Sequence, residues 1–173
     1  MPIADTDIVY RWSVAAAAGN TTASAPSTSL GDQVETNGPT TAVANDVFDD
    51  VSGAEASAGA TDYRCLFALN NHATLTLLGA KVSISSQTSG GATVTIGLDP
   101  AGVTPKGQAS AQAATIANES TAPAGVTFSA GPLTIGDMAP GTVAAFWIKR
   151  VTPPGSTVQA DGAVFSVDGD TLP

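Results

Sequence analysis

Few residues in this chain carry reactive chemistry, and their spacing decides how each one reads. The single cysteine, Cys65, stands seven positions before the single histidine, His72. A thiol and an imidazole form a nucleophile pair when the imidazole takes the thiol proton. The alternation in "DYRCLFAL", however, sets Cys65 on one strand face with Tyr63, Phe67 and Leu69, the place of a small core residue, and a buried thiol is inert. His72 lies in "NNHA", which reads as a polar hairpin turn between two strands. One histidine and one cysteine cannot build a Cys/His or multi-histidine metal site within one chain.

The acids fall into two groups, "NDVFDDVSGAE" and "DGAVFSVDGD". Neither has the ligand spacing of a helix-loop-helix calcium loop. Asp168 and Asp170, flanking Gly169, read as solvated turn residues, because Asp and Gly recur at turns for backbone reasons. Nothing marks an aromatic-lined cleft holding two carboxylates for glycoside hydrolysis. "SGGATVTIG" runs into a strand instead of opening a helix and lacks the lysine of a phosphate loop. The expectation is a protein that is not an enzyme, with no catalytic residue, no metal and no cofactor.

The densest chemistry is "TVAAFWIKRV", Thr142 to Val151, which joins one of two tryptophans to two of six basic residues. As a strand it sets Val143, Ala145, Trp147 and Lys149 on one face and Ala144, Phe146, Ile148 and Arg150 on the other. Both faces are largely apolar, which predicts either a central strand covered on both sides or one whose outer face meets a partner subunit. Trp147 is then a core residue or an interface anchor, and Lys149 and Arg150 mark the exit to solvent before "TPPG" stops the strand.

The elements that position these residues are predicted to be strands. "DIVYRWSV" alternates Ile8, Tyr10, Trp12 and Val14 against Val9, Arg11 and Ser13. Further strands are expected over "DYRCLFAL", over "TLTLLGAKVSI" with a bulge near Leu78 and Gly79, and at Thr93 to Leu98. Others are expected at Val126 to Ser129, Leu133 to Ile135, Thr142 to Val151 and Gly162 to Asp168. "SSQTSGGAT" supplies a Gly-Gly turn, and "QASAQAATIANES" reads as loop or short strand. About eight strands at roughly ten-residue spacing predict an all-β fold, a single β-sandwich of immunoglobulin-like or jelly-roll-like kind. Composition agrees: 173 residues suit one domain, Gly and Pro contribute 18 and 11 residues, and only 12% are charged.

A net charge of −9 opposes binding to nucleic acid or anionic lipid, since neutralising phosphate needs clustered Lys and Arg. A lone cysteine forms no intrachain disulfide and suits a reducing cytosol. The N-terminus lacks a basic segment followed by a signal-type apolar run, and no stretch of about 18 apolar residues predicts a membrane span. Two sequons, at Asn20 and Asn118, carry no meaning without a secretory route.

Residues 15 to 45 are different in texture. "AAAAGNTTASAPSTSLGDQVETNGPTTAVAN" has no period and almost no large side chains beyond Leu30 and Val34. Alone, it cannot bury enough apolar area to offset its conformational entropy. It needs a surface to lie on, either a neighbouring subunit or its own domain, where termini often dock as edge strands. The chain therefore divides into an N-terminal strand and extended arm, residues 1–45, and a sandwich domain, residues 46–173. Tyr10, Trp12, Leu30, Val34 and Trp147 are the candidate inter-subunit contacts.

The stretch from "VFDDVSG" through "DYRCLFALNNHATLTLLGAKVSI", "TIGLDPAGV", "ANESTAPAGVTFS", "GDMAPGTVAAFWIKR" and "DGAVFSVDGD" resembles a group of tailed-bacteriophage virion proteins, over roughly residues 46 to 171. "LTIGDMAPGTVAAFWIKRVTPP" is also similar to the penultimate hairpin of immunoglobulin-like modules in bacterial and phage surface proteins. The resemblance brings no binding or catalytic residues with it. It implies a virion structural protein assembled in the bacterial cytoplasm, in first place a capsid decoration protein on the outer face of the major capsid shell. Its partners would be the major capsid protein and neighbouring copies of itself, as a homo-oligomer on the particle. The alternatives are a tail, neck or fibre-associated module, a carbohydrate- or host-surface-binding sandwich, and a virion-borne hydrolase.

Overall fold

The computed structural model describes residues 2–14, 28–35, 38, 47–88, 91–156 and 162–171. Among them are nine strands: β1 (Ile8–Val14), β2 (Gly31–Val34), β3 (Ala60–Asn70), β4 (Leu77–Gln87), β5 (Thr93–Pro105), β6 (Ala113–Thr115), β7 (Leu133–Met138), β8 (Thr142–Thr152) and β9 (Ala163–Asp170). A single 3-10 turn (Asp5–Asp7) precedes β1, and one short α-helix, α1 (Gly53–Ala58), precedes β3. The fold is all-β, a β-sandwich of a six-stranded sheet in the order β5-β8-β3-β1-β2-β6 against a three-stranded sheet, β7-β4-β9. Every strand pairing is antiparallel.

Alternation explains where the cores lie. Trp12 of β1, Leu66 and Ala68 of β3, Ile96 of β5, and Phe146 and Ile148 of β8 face Leu77, Ala80 and Val82 of β4 and Met138 of β7, making the first core between the sheets. Phe146 sits at its centre, edge-on to Tyr10 and tilted against Phe165, with both ring centroids at 6.2 Å. The alternate residues of the same strands, Cys65, Phe67, Leu69, Val143, Ala145 and Trp147, face the other way into a second core. That core is roofed by Leu30, Val34, Ala113, Ile116 and Phe128. The larger sheet is thus buried on both faces within one chain, which is why β3 and β8 read as nearly continuous apolar runs.

The second core exists because the larger sheet curls until its edge strands meet. β5 and β6 lie at opposite ends of the strand order, yet Ala114 N–H donates to Asp99 Oδ2 at 2.9 Å. Gln112 Nε2 likewise donates to Thr104 Oγ1 at 3.0 Å and to the Pro105 carbonyl at 2.9 Å. Part of the predicted arm completes the closure. β2 pairs with β1 and β6, Cys65 N–H donates to the Ser29 carbonyl, and Ile116 N–H donates to that of Leu30. Residues 28–35 therefore dock on their own domain. β1, which sequence texture grouped with the arm, is an inner strand of the sheet, registered with β3 from Ile8↔Asn70 to Trp12↔Leu66.

Several expectations change. "NNHA" joins strands of different sheets, so it is a crossing and not a hairpin; β7 and β8, around "GDMAPG", also belong to different sheets. Val126 to Ser129 makes a single bridge, Ile96↔Ser129, instead of a strand. A Cβ on Gly97 would meet Val126 Cγ1 at 2.4 Å, so this residue lets the segment lie against β5. "QASAQAATIANES" does contain a short strand, β6, and the bulge expected at Leu78 and Gly79 is present where β4 shifts register. The remaining arm residues except Gly38, the sequon at Asn20 and part of the Gly-Gly turn fall outside the described residues.

Gly31 fixes the entry of β2. Its φ is +98°, and a Cβ there would stand 1.7 Å from the Ala114 carbonyl oxygen. Gly31→Ala combines a left-handed backbone with a clash against a neighbouring strand, and should cost about 3 kcal/mol. The measurement is denaturant unfolding, with hydrogen exchange at Gln112 and Ile116, whose N–H groups are bonded to the 28–35 segment. Unchanged protection at both amides would refute this account of β2.

Candidate functional site

The five residues singled out from sequence divide between the two cores. Trp12 is 1% exposed and Trp147 is 0% exposed, both buried by their own chain. Tyr10 is half-buried beside the first core, its hydroxyl donating to the Phe165 carbonyl at 3.3 Å. Leu30 and Val34 are half-buried over the second core, where Trp147 also lies. These side chains are brought together as packing.

The most organised polar group is Asp99, 4% exposed. It stands where β5 bulges: its register with β8 moves from Leu98↔Phe146 to Val103↔Ala144. Oδ1 accepts Ala101 N–H at 2.9 Å, while Oδ2 accepts both Ala114 N–H and Trp147 Nε1–H at 2.9 Å. The carboxylate thus ties its own bulge, β6 and the largest side chain of the second core together. Nothing in "GLDPAGV" announces those partners beyond an Asp before Pro and Gly.

A second polar cluster closes one end of the sandwich. Arg150 was expected at the solvent exit of its strand; instead it is 8% exposed. Its Nε and Nη2 donate to Asp62 Oδ2 at 3.0 and 2.8 Å, and Nη1 donates to the Asp49 carbonyl. The physical reason is register, since Asp62 and Arg150 are direct cross-strand partners. Arg64, fully buried, pairs with Glu119. The Phe48 ring lies under both guanidinium groups, at 4.7 Å from Arg150 and 5.4 Å from Arg64, a desolvated cation–π arrangement. Asp49, Phe48 and Glu119 thereby pin the segment before α1 and the loop after β6 to the central strands. Lys149 is half-buried, its Nζ 5.9 Å from the centre of the Phe128 ring.

The reactive pair considered from sequence does not assemble. Burial, with Asp99 nearby adding to it, pushes the Cys65 thiol well above its ordinary range, so it stays protonated. His72 organises a loop: its Nδ1 accepts Thr74 and Leu75 N–H at 3.1 and 3.0 Å. Asn70 works beside it, donating to the Leu75 and Met138 carbonyls and accepting His72 N–H. Asp168 accepts the Ser166 hydroxyl at 3.0 Å. Among the described residues no group of three or more His, Cys, Asp or Glu is placed to hold a metal ion. Among them, too, no helix is long and apolar enough to cross a membrane. The sequon at Asn118 forms a self-capped turn, its Oδ1 accepting the Ser120 and Thr121 hydroxyls.

What this geometry defines is an all-β scaffold with two cores and polar ties at the seams. No known protein family, curated protein or solved structure matches the chain.

Two consequences are measurable. Asp99→Ala leaves Trp147 Nε1–H and Ala114 N–H buried without acceptors, a loss of roughly 3 kcal/mol or more. Trp147→Phe keeps most of the packing and should cost less; a cycle with Asp99→Ala should show strong coupling between the two, whereas additive losses would argue against the tie. The second consequence is pH dependence. Burial, then the charge of Asp168, raises Tyr10 from 10.0 to about 12. A phenol raised on folding stabilises the protein below the unfolded value, and that contribution disappears as pH climbs from 10.0 towards 12. Cys65 acts in the same direction from a lower pH. In a Cys65→Ala background, Tyr10→Phe should flatten the fall in unfolding free energy over the tyrosine range. An unaltered slope would show that Tyr10 does not carry it.

Proposed function

We propose that this chain is a structural virion protein of a tailed phage, a capsid decoration protein that binds the outer face of the major capsid shell. Each copy bridges neighbouring shell subunits, and the summed contacts of many copies oppose the outward force of packaged DNA. The observation that supports this reading best is where the chain uses its chemically distinctive side chains. Both tryptophans, Cys65, Asp99, Arg64 and Arg150 are buried and serve the scaffold itself. A rigid double-core body joined to small-residue segments suits a part whose work is contact area and not reaction. The resemblance over residues 46 to 171 points the same way, and the acidic charge of −9 suits a surface that stays apart from nucleic acid.

The sugar-binding alternative called for an exposed aromatic platform built from Tyr10, Trp12 or Trp147, and two of those three rings are interior. A tail, neck or fibre module would use the same scaffold, so copy number separates it from a decoration protein. Purified chain mixed with expanded, undecorated shells should co-sediment in numbers that scale with shell subunits; binding confined to tails in a few copies would move the assignment there. Because β1 and β2 belong to the fold, the linker test must spare them. Replacing residues 15–27 with a short Gly/Ser connection should weaken shell binding about tenfold if that segment adds contacts. Unchanged affinity would remove it as an assembly element.

A further inference from the structure

The position of β1 in the sheet and the length of its tether belong together. β1 fills a slot between β3 and β2, and both walls of that slot lie after it in the chain. The covalent path from β1 to the rest of the sandwich runs through residues 15–27, "AAAAGNTTASAPS". Those thirteen residues carry no charge and no side chain larger than Asn or Thr. Extended, they reach roughly 45 Å, while an antiparallel return needs only about two to five residues.

The contacts that seat β1 do not depend on which chain supplies it. They include the ladder to β3 from Ile8 to Trp12, the pairs Ser13↔Val34 and Val14↔Gln33 with β2, the bond from Glu35 N–H to the Trp12 carbonyl, and the bond from Gly31 N–H to Ser13 Oγ, both at 2.9 Å. Trp12, with Ile8 and Tyr10, fills the first core, and Val9 packs on the second. A strand from a second copy would satisfy the same donors and fill the same volumes. The two arrangements differ only in whether the strand is joined to its slot by the same chain, and a neighbouring copy competes where the local concentration of copies matches the effective concentration of that join.

We infer that β1 is an exchangeable strand: in the assembled state, one copy inserts residues 8–14 between β3 and β2 of its neighbour. The occupant is a second copy of this chain, presenting Trp12 as the anchor. Reciprocal exchange closes a dimer, and sequential exchange links copies in a string. This specifies the contact between copies that the assembly reading calls for and rests on that reading for its purpose. Since the test uses purified chains without shells, its failure leaves shell binding untouched.

The test places one cysteine in each of two chains, Val14→Cys in the first and Gln33→Cys in the second, both carrying Cys65→Ala. These positions face each other across β1 and β2, and directly opposed antiparallel residues lie about 4.5–5.5 Å apart at Cα, within disulfide range. The two chains are co-refolded at high concentration, oxidised and run without reductant. The double variant Val14→Cys/Gln33→Cys, refolded dilute, provides the standard for closure within one chain. Exchange gives a covalent heterodimer whose fraction rises with concentration and exceeds several-fold that of a control pair, Val14→Cys with Ser85→Cys, the latter exposed on the other sheet. Heterodimer no more abundant than in that control overturns the proposal. A readout without engineered cysteines is the mass in solution of the unaltered chain refolded at high concentration and then diluted. Dimers that persist on dilution support exchange, because β1 must leave two ladders to revert; monomer alone overturns it.

Discussion

The carboxylate of Asp99 is the constraint on which the second half of this structure depends. Burying a carboxylate costs several kcal/mol unless its oxygens are fully engaged. Here three N–H donors at 2.9 Å engage them. Each donor comes from a different piece of the fold: the β5 bulge, β6, and Trp147 of β8. Without the carboxylate, Ala114 of β6 loses its bond to β5 and only Gln112, at the start of β6, still ties the two edges, while the indole N–H of Trp147 lies in an apolar core without an acceptor. The carboxylate therefore both draws the edges of the larger sheet together and permits a tryptophan, instead of a smaller apolar residue, to fill the space that results. Charge-assisted bonds of this kind exceed neutral ones in strength, and this one holds where three elements converge.

Closure at Asp99 also determines the fate of β2. "LGDQV" has too little apolar area and no alternation to form a strand by itself. Between β1 and β6 it gains partners on both edges, and Gln112 reinforces it by accepting Val34 N–H while donating across to β5. Leu30 and Val34 then have a core to cover. The order of this segment is a property of the slot, supplied by β1, β6 and the Asp99 seam, and it follows that disturbing any of the three releases it. β1 is coupled to the same seam from the other side through Ser13, whose hydroxyl accepts Gly31 N–H.

How much of this was legible depends on the range of the interaction that decides each residue. Alternation is local, and it correctly divided β1, β3 and β8 into their two faces, including Cys65 with Phe67 and Phe146 opposite Trp147. The bulge at Gly79 was legible for the same reason, since a glycine interrupts a strand pattern. Helix α1 had a local signal that strand spacing obscured: Ser52 and Glu55 form a capping box, the Ser52 hydroxyl accepting Glu55 N–H and the Glu55 carboxylate accepting Ser52 N–H. Those bonds hold the Glu55 carboxyl below its usual range. Arg150 was misread because a charged residue near a strand end ordinarily meets water; its partner Asp62 lies 88 positions away. Asp99 and Trp147 are 48 positions apart, and no periodicity encodes such a pair. "NNHA" was misread as a hairpin because short connections suggest neighbouring strands, whereas here Asn70 and His72 shape the loop that carries the chain from one sheet to the other.

The unusual composition now has a physical cause. A sandwich with one core leaves the outer face of each sheet to solvent, and alternate strand residues can be charged at no cost. Among the described residues the smaller sheet keeps such a face, with Lys81, Ser85, Thr134 and Asp168 exposed on it. The larger sheet has a core on either side, so the fully buried charges on its inner strands come in matched sets. Asp62 with Arg150, buried on both sides across β3 and β8, and Arg64 with the partly exposed Glu119 of the loop after β6, are such sets. Removing one member leaves its partner buried and unpaired, which costs far more than losing a surface pair. The scarcity of charge and the abundance of Ala, Val and Gly therefore follow from double burial of one sheet, and the charges that remain inside it are those that attach the chain's irregular segments to its strands.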